Sequence, residues 1–404
     1  MFERKSVTGK IAGTSSVLQI DYDTAIQAVD ELIRPPETDE FVAPGLIDVQ
    51  VNGFAGVDYN DPASSHEAIA ESIRAQFRTG VTRFFPTIIT GPEQRITAAL
   101  RNLVSAKAEY ARNGMPEAHA MEAFHVEGPH ISPETGPRGA HPREHVRPPD
   151  IEEFKRWQEA AEGGIRLVTL SPEWDDAPAY IEAVMRSGVV ASIGHTKATG
   201  AQIQAAVDAG ATMSTHLGNG AHPVLPKTEN YIWEQLAQDR LAASFILDGI
   251  HIPAGFFRSA VRAKGVERSI LVTDAVMPAL CKPGLYRLGE VEVELRSNES
   301  VVLRGEERLA GSALRLDRAI GNSIRLGEIT LREALAMATV NPARAGRIAG
   351  RQRGLAPGEK ADLIRFRWNA AEFSFEVIET IVADFTVYNK ATKQSISASS
   401  NQYD

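Results

Sequence analysis

The sequence predicts an α/β fold: a (β/α)8 TIM barrel with a small β-sandwich-like domain formed by the N- and C-terminal segments. Three observations carry this prediction. Eight short β-branched or apolar runs recur between residues 45 and 275, spaced to leave room for helices. Most of the intervening segments have helical periodicity and close on a glycine suited to a left-handed C-cap. The flanking segments lack this rhythm.

Residues 1–44 and 350–394 are assigned to the small β domain. The first part ends in "IRPPETDEFVAPG", a connection rich in turn residues. The barrel is placed at 45–349. Its strands are "GLIDVQV" near 45–51, "VTRFFPTII" near 81–89, "AMEAFHVE" near 120–127 and "IRLVTLSPE" near 165–173. The second half continues with "VVASIGH" near 189–195, "ATMSTHL" near 211–217, "LAASFILDG" near 241–249 and "RSILVTDA" near 268–275. "SHEAIAESIRAQFRTG" and "ATGAQIQAAVDAG" exemplify the helices between them. After the eighth strand, "YRLGEVEVELRSNESVVLRG" alternates polar and apolar residues around an Asn-containing turn, which predicts an inserted β hairpin near 284–308. A helix near 312–325 and a helical "TLREALAMATVNPARAGRI" follow. "GLAPGEKADLIRFRW" and "ETIVADFTVYNK" read as strands that pair with the N-terminal ones. Residues 395–404 have little apolar content and read as a disordered tail.

Composition narrows the function. The chain has 404 residues, with 43 Lys+Arg against 52 Asp+Glu and a formal net charge of -9. That balance disfavours nucleic-acid and anionic-membrane partners but leaves room for a local basic pocket. One cysteine, Cys281, excludes an intramolecular disulfide framework and a Cys-rich metal site. No apolar run approaches the roughly 20 residues needed to cross a bilayer, and the expectation is a soluble, cytoplasmic protein.

In a barrel of this type, chemistry gathers at the C-terminal ends of the strands. Glu127, His195, His216, His251 and Asp274 fall at or just after five of those ends. Singly, each has an ordinary alternative, as a hydrogen-bonded strand-end histidine or a helix N-cap. Together, Glu127, His195 and His216 form a nitrogen and oxygen shell for one divalent ion, Zn2+ first, with Fe2+, Co2+ and Mn2+ sharing the same ligand types. The first strand offers Gln50-Val51-Asn52, whose neutral amides are weak ligands, so a single metal is expected. Asp274 is then left as proton carrier for a hydroxide attacking a carbonyl, a division of labour that fits amide hydrolysis.

Substrate contacts are read more diffusely. "PETGPRGAHPREH", residues 133–145, is a long loop able to carry His141 across the mouth, against the alternative of a solvent histidine. His251 is the other candidate. Backbone amides of "LGNGAHP" after His216, and of "LAGS" at 309–312, which contains Ala310 and Gly311, could bind hydroxyl or phosphate oxygens. No dinucleotide fingerprint, phosphate-cradling Gly-x-x-x-x-Gly-Lys loop or His-Glu-x-x-His motif is present.

Across nearly its full length the chain resembles the N-acetylglucosamine-6-phosphate deacetylases of the amidohydrolase superfamily. The resemblance rests on "PGLIDVQVNGFAGVDYN", "GVTRFFPT", "HVEGPHISPETGPRGAHPREH", "GHTKAT", "AGATMSTHLGNG", "DGIH", "LVTDA", "LAGS" and "NPAR", in that order. It implies a metal-binding barrel, usually in a homodimer, with Glu127, His195 and His216 as metal ligands and Asp274 as acid/base. It also implies that His141 and His251 contact the amino-sugar substrate, with Asn219 and Gly220 near its phosphate or hydroxyls. The implied reaction hydrolyses the N-acetyl group of N-acetylglucosamine 6-phosphate to glucosamine 6-phosphate and acetate.

The departures concentrate around the phosphate. Where the family carries "HLFNAM" or "HLYNAM" and then an arginine-bearing segment, this chain reads "HLGNGAHP" and "LPKTENYIWEQL". Lys227 is the expected replacement cation there, without arginine's bidentate fork. Alternatives that follow are another N-acetylated amino sugar, phosphorylated or not, and an N-acyl amidohydrolase. A binding protein without turnover is the non-enzymatic alternative.

Overall fold

A computed structural model describes residues 5–289, 291–392 and the backbone of 394–395. Its central sheet has eight strands in chain order, every adjacent pair parallel. They are Leu46–Val51, Val81–Ile89, Phe124–Glu127, Ile165–Leu170, Val190–Ile193, Met213–Ser214, Ala242–Ile246 and Ser269–Val272. The eighth returns to the first through a Val51–Ala275 bridge, and the Asp274 amide donates to the Gln50 carbonyl at 3.0 Å. This closes a barrel. All eight expected runs form strands, and nearly every residue of these strands is buried, as helices on the outside and side chains on the inside require.

The connecting helices begin where the sequence supplies caps. Ser65 caps His66–Phe77, and Thr199 with Gln202 forms a capping box on Gly200–Asp208. Each helix turns apolar residues toward the sheet, as Ile69, Ile73 and Phe77 do from the first.

A second sheet draws on both chain ends. Glu40–Pro44 pairs antiparallel with Leu363–Asn369 on one side and in parallel with Lys5–Lys10 on the other. Val17–Tyr22 and Ile26–Glu31 extend it one way, and Ser374–Val382, Phe385–Asn389 and Gln394–Ser395 the other. Val7, Ile20, Ile26, Val42, Leu363 and Ile381 form a core of their own. This is the sandwich-like domain. The tail expected at 395–404 lies outside the described residues from 396 onward.

The inserted segment differs from expectation. Residues 284–312 form not one hairpin but a four-stranded antiparallel sheet, Gly284–Leu288, Val291–Leu295, Ser300–Leu303 and Leu309–Ser312. The alternation continues through three successive turns, so a third and a fourth strand add to the pair around Asn298. Ser312 then bridges Ala275, which brings this sheet back onto the end of the eighth barrel strand. Among the described residues no helix is long and apolar enough to cross a membrane.

Candidate active site

The strand ends converge on a cavity of about 960 Å³ at the C-terminal mouth of the barrel. Glu127 closes the third strand, and its carboxylate is buried. His195 and His216 follow the fifth and sixth strands with φ of +48° and +31°, and Asp274 follows the eighth with φ of +49°. Side chains other than glycine rarely occupy this left-handed region, and such residues cluster at functional sites. The backbone turns at each strand end and sends the side chain inward.

The ligand-bearing atoms lie close together. Glu127 Oε1 is 2.8 Å from His216 Nε2 and 3.2 Å from His195 Nε2, and the two Nε2 atoms are 3.1 Å apart. Glu127, His141 and His195 also qualify as a buried metal-ligating group, with their ligand atoms within 4.8 Å of one another. A three-residue site suitable for a divalent ion is therefore present. Three ligands each about 2.0–2.1 Å from a tetrahedral centre lie about 3.3 Å apart, close to the triangle of Glu127, His195 and His216. His195 Nδ1 lies 2.8 Å from the Pro137 carbonyl, which can only accept, so Nδ1 carries the proton and Nε2 presents its lone pair. The donor set fits the ion.

Asp274 sits beside this group. Its Oδ1 accepts from Asn52 Nδ2 at 2.6 Å and from Gln50 Nε2 at 3.2 Å, and the same Gln50 amide reaches Glu127 Oε1 at 3.0 Å. The Gln50 amide thus bridges the Glu127 and Asp274 carboxylates, and the Asn52 amide reaches Asp274 alone. Burial, followed by the charge of Glu127, pushes Asp274 up to about 6. Asp48 and Thr273 stiffen this strand pair from below, Thr273 Oγ1 donating to Asp48 Oδ2 at 2.6 Å.

His141 is not a solvent histidine of the loop. It is buried, its Nδ1 lies 2.8 Å from Thr90 Oγ1, and its ring meets that of His195 edge-on with centroids 4.4 Å apart. Burial and then the charge of His195 press it down to about 3, which leaves the imidazole neutral. His251 lines the same cavity, with Nδ1 held 2.5 Å from Asp248 Oδ2. Asn219, Gly220, Ala310 and Gly311 line it too.

Lys227 is the exception. It is exposed and absent from the cavity wall, because the segment around it turns outward before Asn230 caps the Tyr231–Ala237 helix. His222 from the altered loop faces the cavity instead, its Nε2 3.3 Å from Glu134 Oε2 and its ring beside the Tyr231 hydroxyl. Gly220 also does more than offer an amide. With φ +55°, a Cβ there would stand 2.6 Å from His195 Nδ1. Sequence reasoning missed Thr90, Arg95 and His222, all in the cavity wall. The "GAHP" run was the visible signal for His222; nothing local marked the other two.

The Amidohydrolase family profile matches residues 41–387. N-acetylglucosamine-6-phosphate deacetylase from Bacillus subtilis (strain 168) is 32% identical over 326 residues, covering 81% of this chain and 80% of that protein. N-acetylgalactosamine-6-phosphate deacetylase from Escherichia coli O157:H7 is 32% identical over 345 residues, covering 85% and 88%. The structure is similar to that of a mutant N-acetyl-D-glucosamine-6-phosphate deacetylase from Mycobacterium smegmatis in complex with N-acetyl-D-glucosamine-6-phosphate. That similarity has a TM-score of 0.83 and 27% identity and covers 96% of this chain and 100% of that one.

Proposed function

The chain belongs to the amidohydrolase family, and from that membership and its site geometry we propose that it hydrolyses the N-acetyl group of N-acetylglucosamine 6-phosphate to glucosamine 6-phosphate and acetate. The observation that carries this reading is the buried triangle of Glu127 Oε1, His195 Nε2 and His216 Nε2, joined to Asp274 through the Gln50 amide. The curated relatives supply the substrate class. In this reading Glu127, His195 and His216 hold one divalent ion, Zn2+ before Fe2+, Co2+ or Mn2+, in a cytoplasmic homodimer.

When bound, the ion supplies Lewis acidity for the amide carbonyl and acidifies water. The chain's own residues do the rest. Asp274 Oδ1 is occupied by two amide donors, so Oδ2 is the oxygen that takes the proton from the attacking water and returns it to the departing amine nitrogen. His141, neutral and fixed through Nδ1 by Thr90, offers Nε2 to the substrate. His251, fixed by Asp248, does the same from the seventh strand end. Asn219, Gly220, Ala310 and Gly311 line the path of the sugar.

The test is acetate release by metal-reconstituted protein from N-acetylglucosamine 6-phosphate, N-acetylgalactosamine 6-phosphate and unphosphorylated N-acetylglucosamine. The reading expects the first to give the highest kcat/KM. A higher value for the galactosamine ester, which the Escherichia coli relative makes the natural rival, would move the substrate to the other epimer. No acetate from any of the three would overturn the deacetylase reading.

A further inference from the structure

Taking the phosphorylated amino sugar of the proposed function as its premise, the geometry points to Arg95 as the residue that recognises the substrate's anionic group, in place of Lys227. Lys227 lies outside the cavity, and the only Lys or Arg side chains among the described lining residues are Arg95 and Arg308. They differ in what already surrounds them. Arg308 is exposed, and its guanidinium is paired with the Glu306 carboxylate two residues away at 3.1 Å. Arg95 is half-buried. Its Nε donates to the Asn60 carbonyl at 3.3 Å, and no carboxylate of a described residue lies within 4.0 Å of it. Its Nη2 stands at the tip of the inserted sheet, where a Cβ on Gly289 would be 3.2 Å away.

Arg95 is tied to the wall that carries the proton relay. Asn60 Nδ2 donates to the Asn52 carbonyl at 3.3 Å, and Asn52 Nδ2 donates to Asp274 Oδ1 at 2.6 Å. A substrate with its amide beside Asp274 can thus extend along this wall toward the guanidinium. The same cavity carries apolar surface from Ile88, Ile89, Leu288 and Val291 beside the polar Asp58 and Asn60. A low-dielectric wall strengthens one charge contact and makes an unpartnered guanidinium costly. Asp58, an acid on the same wall, is pushed up by burial and drawn back in part by the charge of Arg95, and its Oδ1 accepts from the Asn60 amide at 2.9 Å. The planar fork of Arg95 suits two oxygens of a phosphate monoester. An uncharged sugar would leave it unmatched.

The test uses full-length, metal-loaded wild type, Arg95→Gln, Arg95→Lys and Arg308→Gln. Acetate release is measured from N-acetylglucosamine 6-phosphate and N-acetylglucosamine, with calorimetric titration of glucosamine 6-phosphate and glucosamine into the same proteins. The preference for the phosphorylated compound is expected to fall about 10- to 100-fold in Arg95→Gln, and by several-fold in Arg95→Lys, which keeps the charge without the fork. An unchanged preference in Arg95→Gln, or one lost in Arg308→Gln instead, overturns the assignment. Thermal melting identifies a misfolded Gln variant, in which case Arg95→Lys decides: a reduced preference supports the assignment and an unchanged one overturns it. If the wild type releases no acetate from either compound, the deacetylase reading fails separately. The titration still decides Arg95, since a phosphate preference that depends on it supports the inference, and the absence of any such preference overturns it.

Discussion

His195 is held from several directions: Nδ1 reaches the Pro137 carbonyl, Nε2 faces Glu127 and His216, and Gly139 and Gly220 leave space beside the ring. A methyl group at Gly220 would strike Nδ1 and would also strain a backbone at φ +55°. Gly220→Ala is therefore expected to tilt the ring and weaken affinity for the divalent ion by about 10- to 100-fold, the usual effect of disturbing a partner of a metal-ligating histidine. Competition with a chromophoric chelator measures it, and unchanged affinity would remove His195 from the ligand set or Gly220 from its support. Asp274→Asn separates binding from proton transfer. It should keep metal stoichiometry while kcat falls by about 100- to 10,000-fold, and full turnover would end the assignment of Asp274 as proton carrier. At this scale the sequence exposed Glu127, His195, His216 and Asp274, because barrel topology ties chemistry to strand ends. It did not expose the packing role of Gly220 or the grip of Thr90 on His141, because both depend on which loops meet in space.

The loop after the third strand is ordered by Arg147. Its Nε lies 3.0 and 3.1 Å from the two Glu153 oxygens, and its Nη1 donates to the carbonyls of Gly91 at 3.1 Å and His145 at 2.6 Å. Those contacts join the loop carrying His141 to the segment that carries Thr90, and Glu153 is itself buried. Arg147→Ala should raise KM and destabilise the protein by about 2 kcal/mol, less than a fully buried pair because Arg147 is partly exposed. Urea unfolding checks the second effect, and faster amide exchange across 139–145 would identify the loop as the part released. The eight barrel strands were legible because each is a short apolar run bounded by turn residues. The inserted sheet was only half legible. Its Asn298 turn was plain, but "LAGS" is too short and small to announce a strand, and it becomes one by pairing Leu309 with Val302 and Ser312 with Ser300. The gain for function is position, since this last strand sets Ala310 and Gly311 in the cavity wall.

The two domains are locked by a buried charge cluster at the opposite end of the barrel from the site. Asp362 precedes the Leu363–Asn369 strand of the terminal sheet. It accepts from Arg83 Nε at 2.7 Å, Arg83 Nη2 at 3.1 Å, Arg351 Nη1 at 2.5 Å and the Ala383 amide at 3.0 Å. Arg83 lies on the second barrel strand, and Arg351 Nη2 reaches the Gly45 carbonyl just before the first. "EKAD" could be read as the approach to a strand, whereas its acid gave no sign of serving as a clamp, since Arg83 is 279 residues away in sequence. Burial alone would raise the Asp362 carboxyl, but the two guanidinium groups outweigh it and hold the group well below its ordinary 3.8. A depressed folded-state value means that the unfolded chain takes up the proton first as acid is added. The stabilisation is therefore complete above 3.8 and is lost as pH falls below it toward the folded value. Asp362→Asn leaves the buried Arg351 guanidinium without a carboxylate and Arg83 with Glu122 alone, and should cost about 3–5 kcal/mol at neutral pH. The difference from wild type in chemical denaturation should stay constant down to the ordinary carboxylate range and shrink below it. A gap that does not change with pH across that range would mean that Asp362 stabilises the junction through packing and hydrogen bonds rather than through its charge.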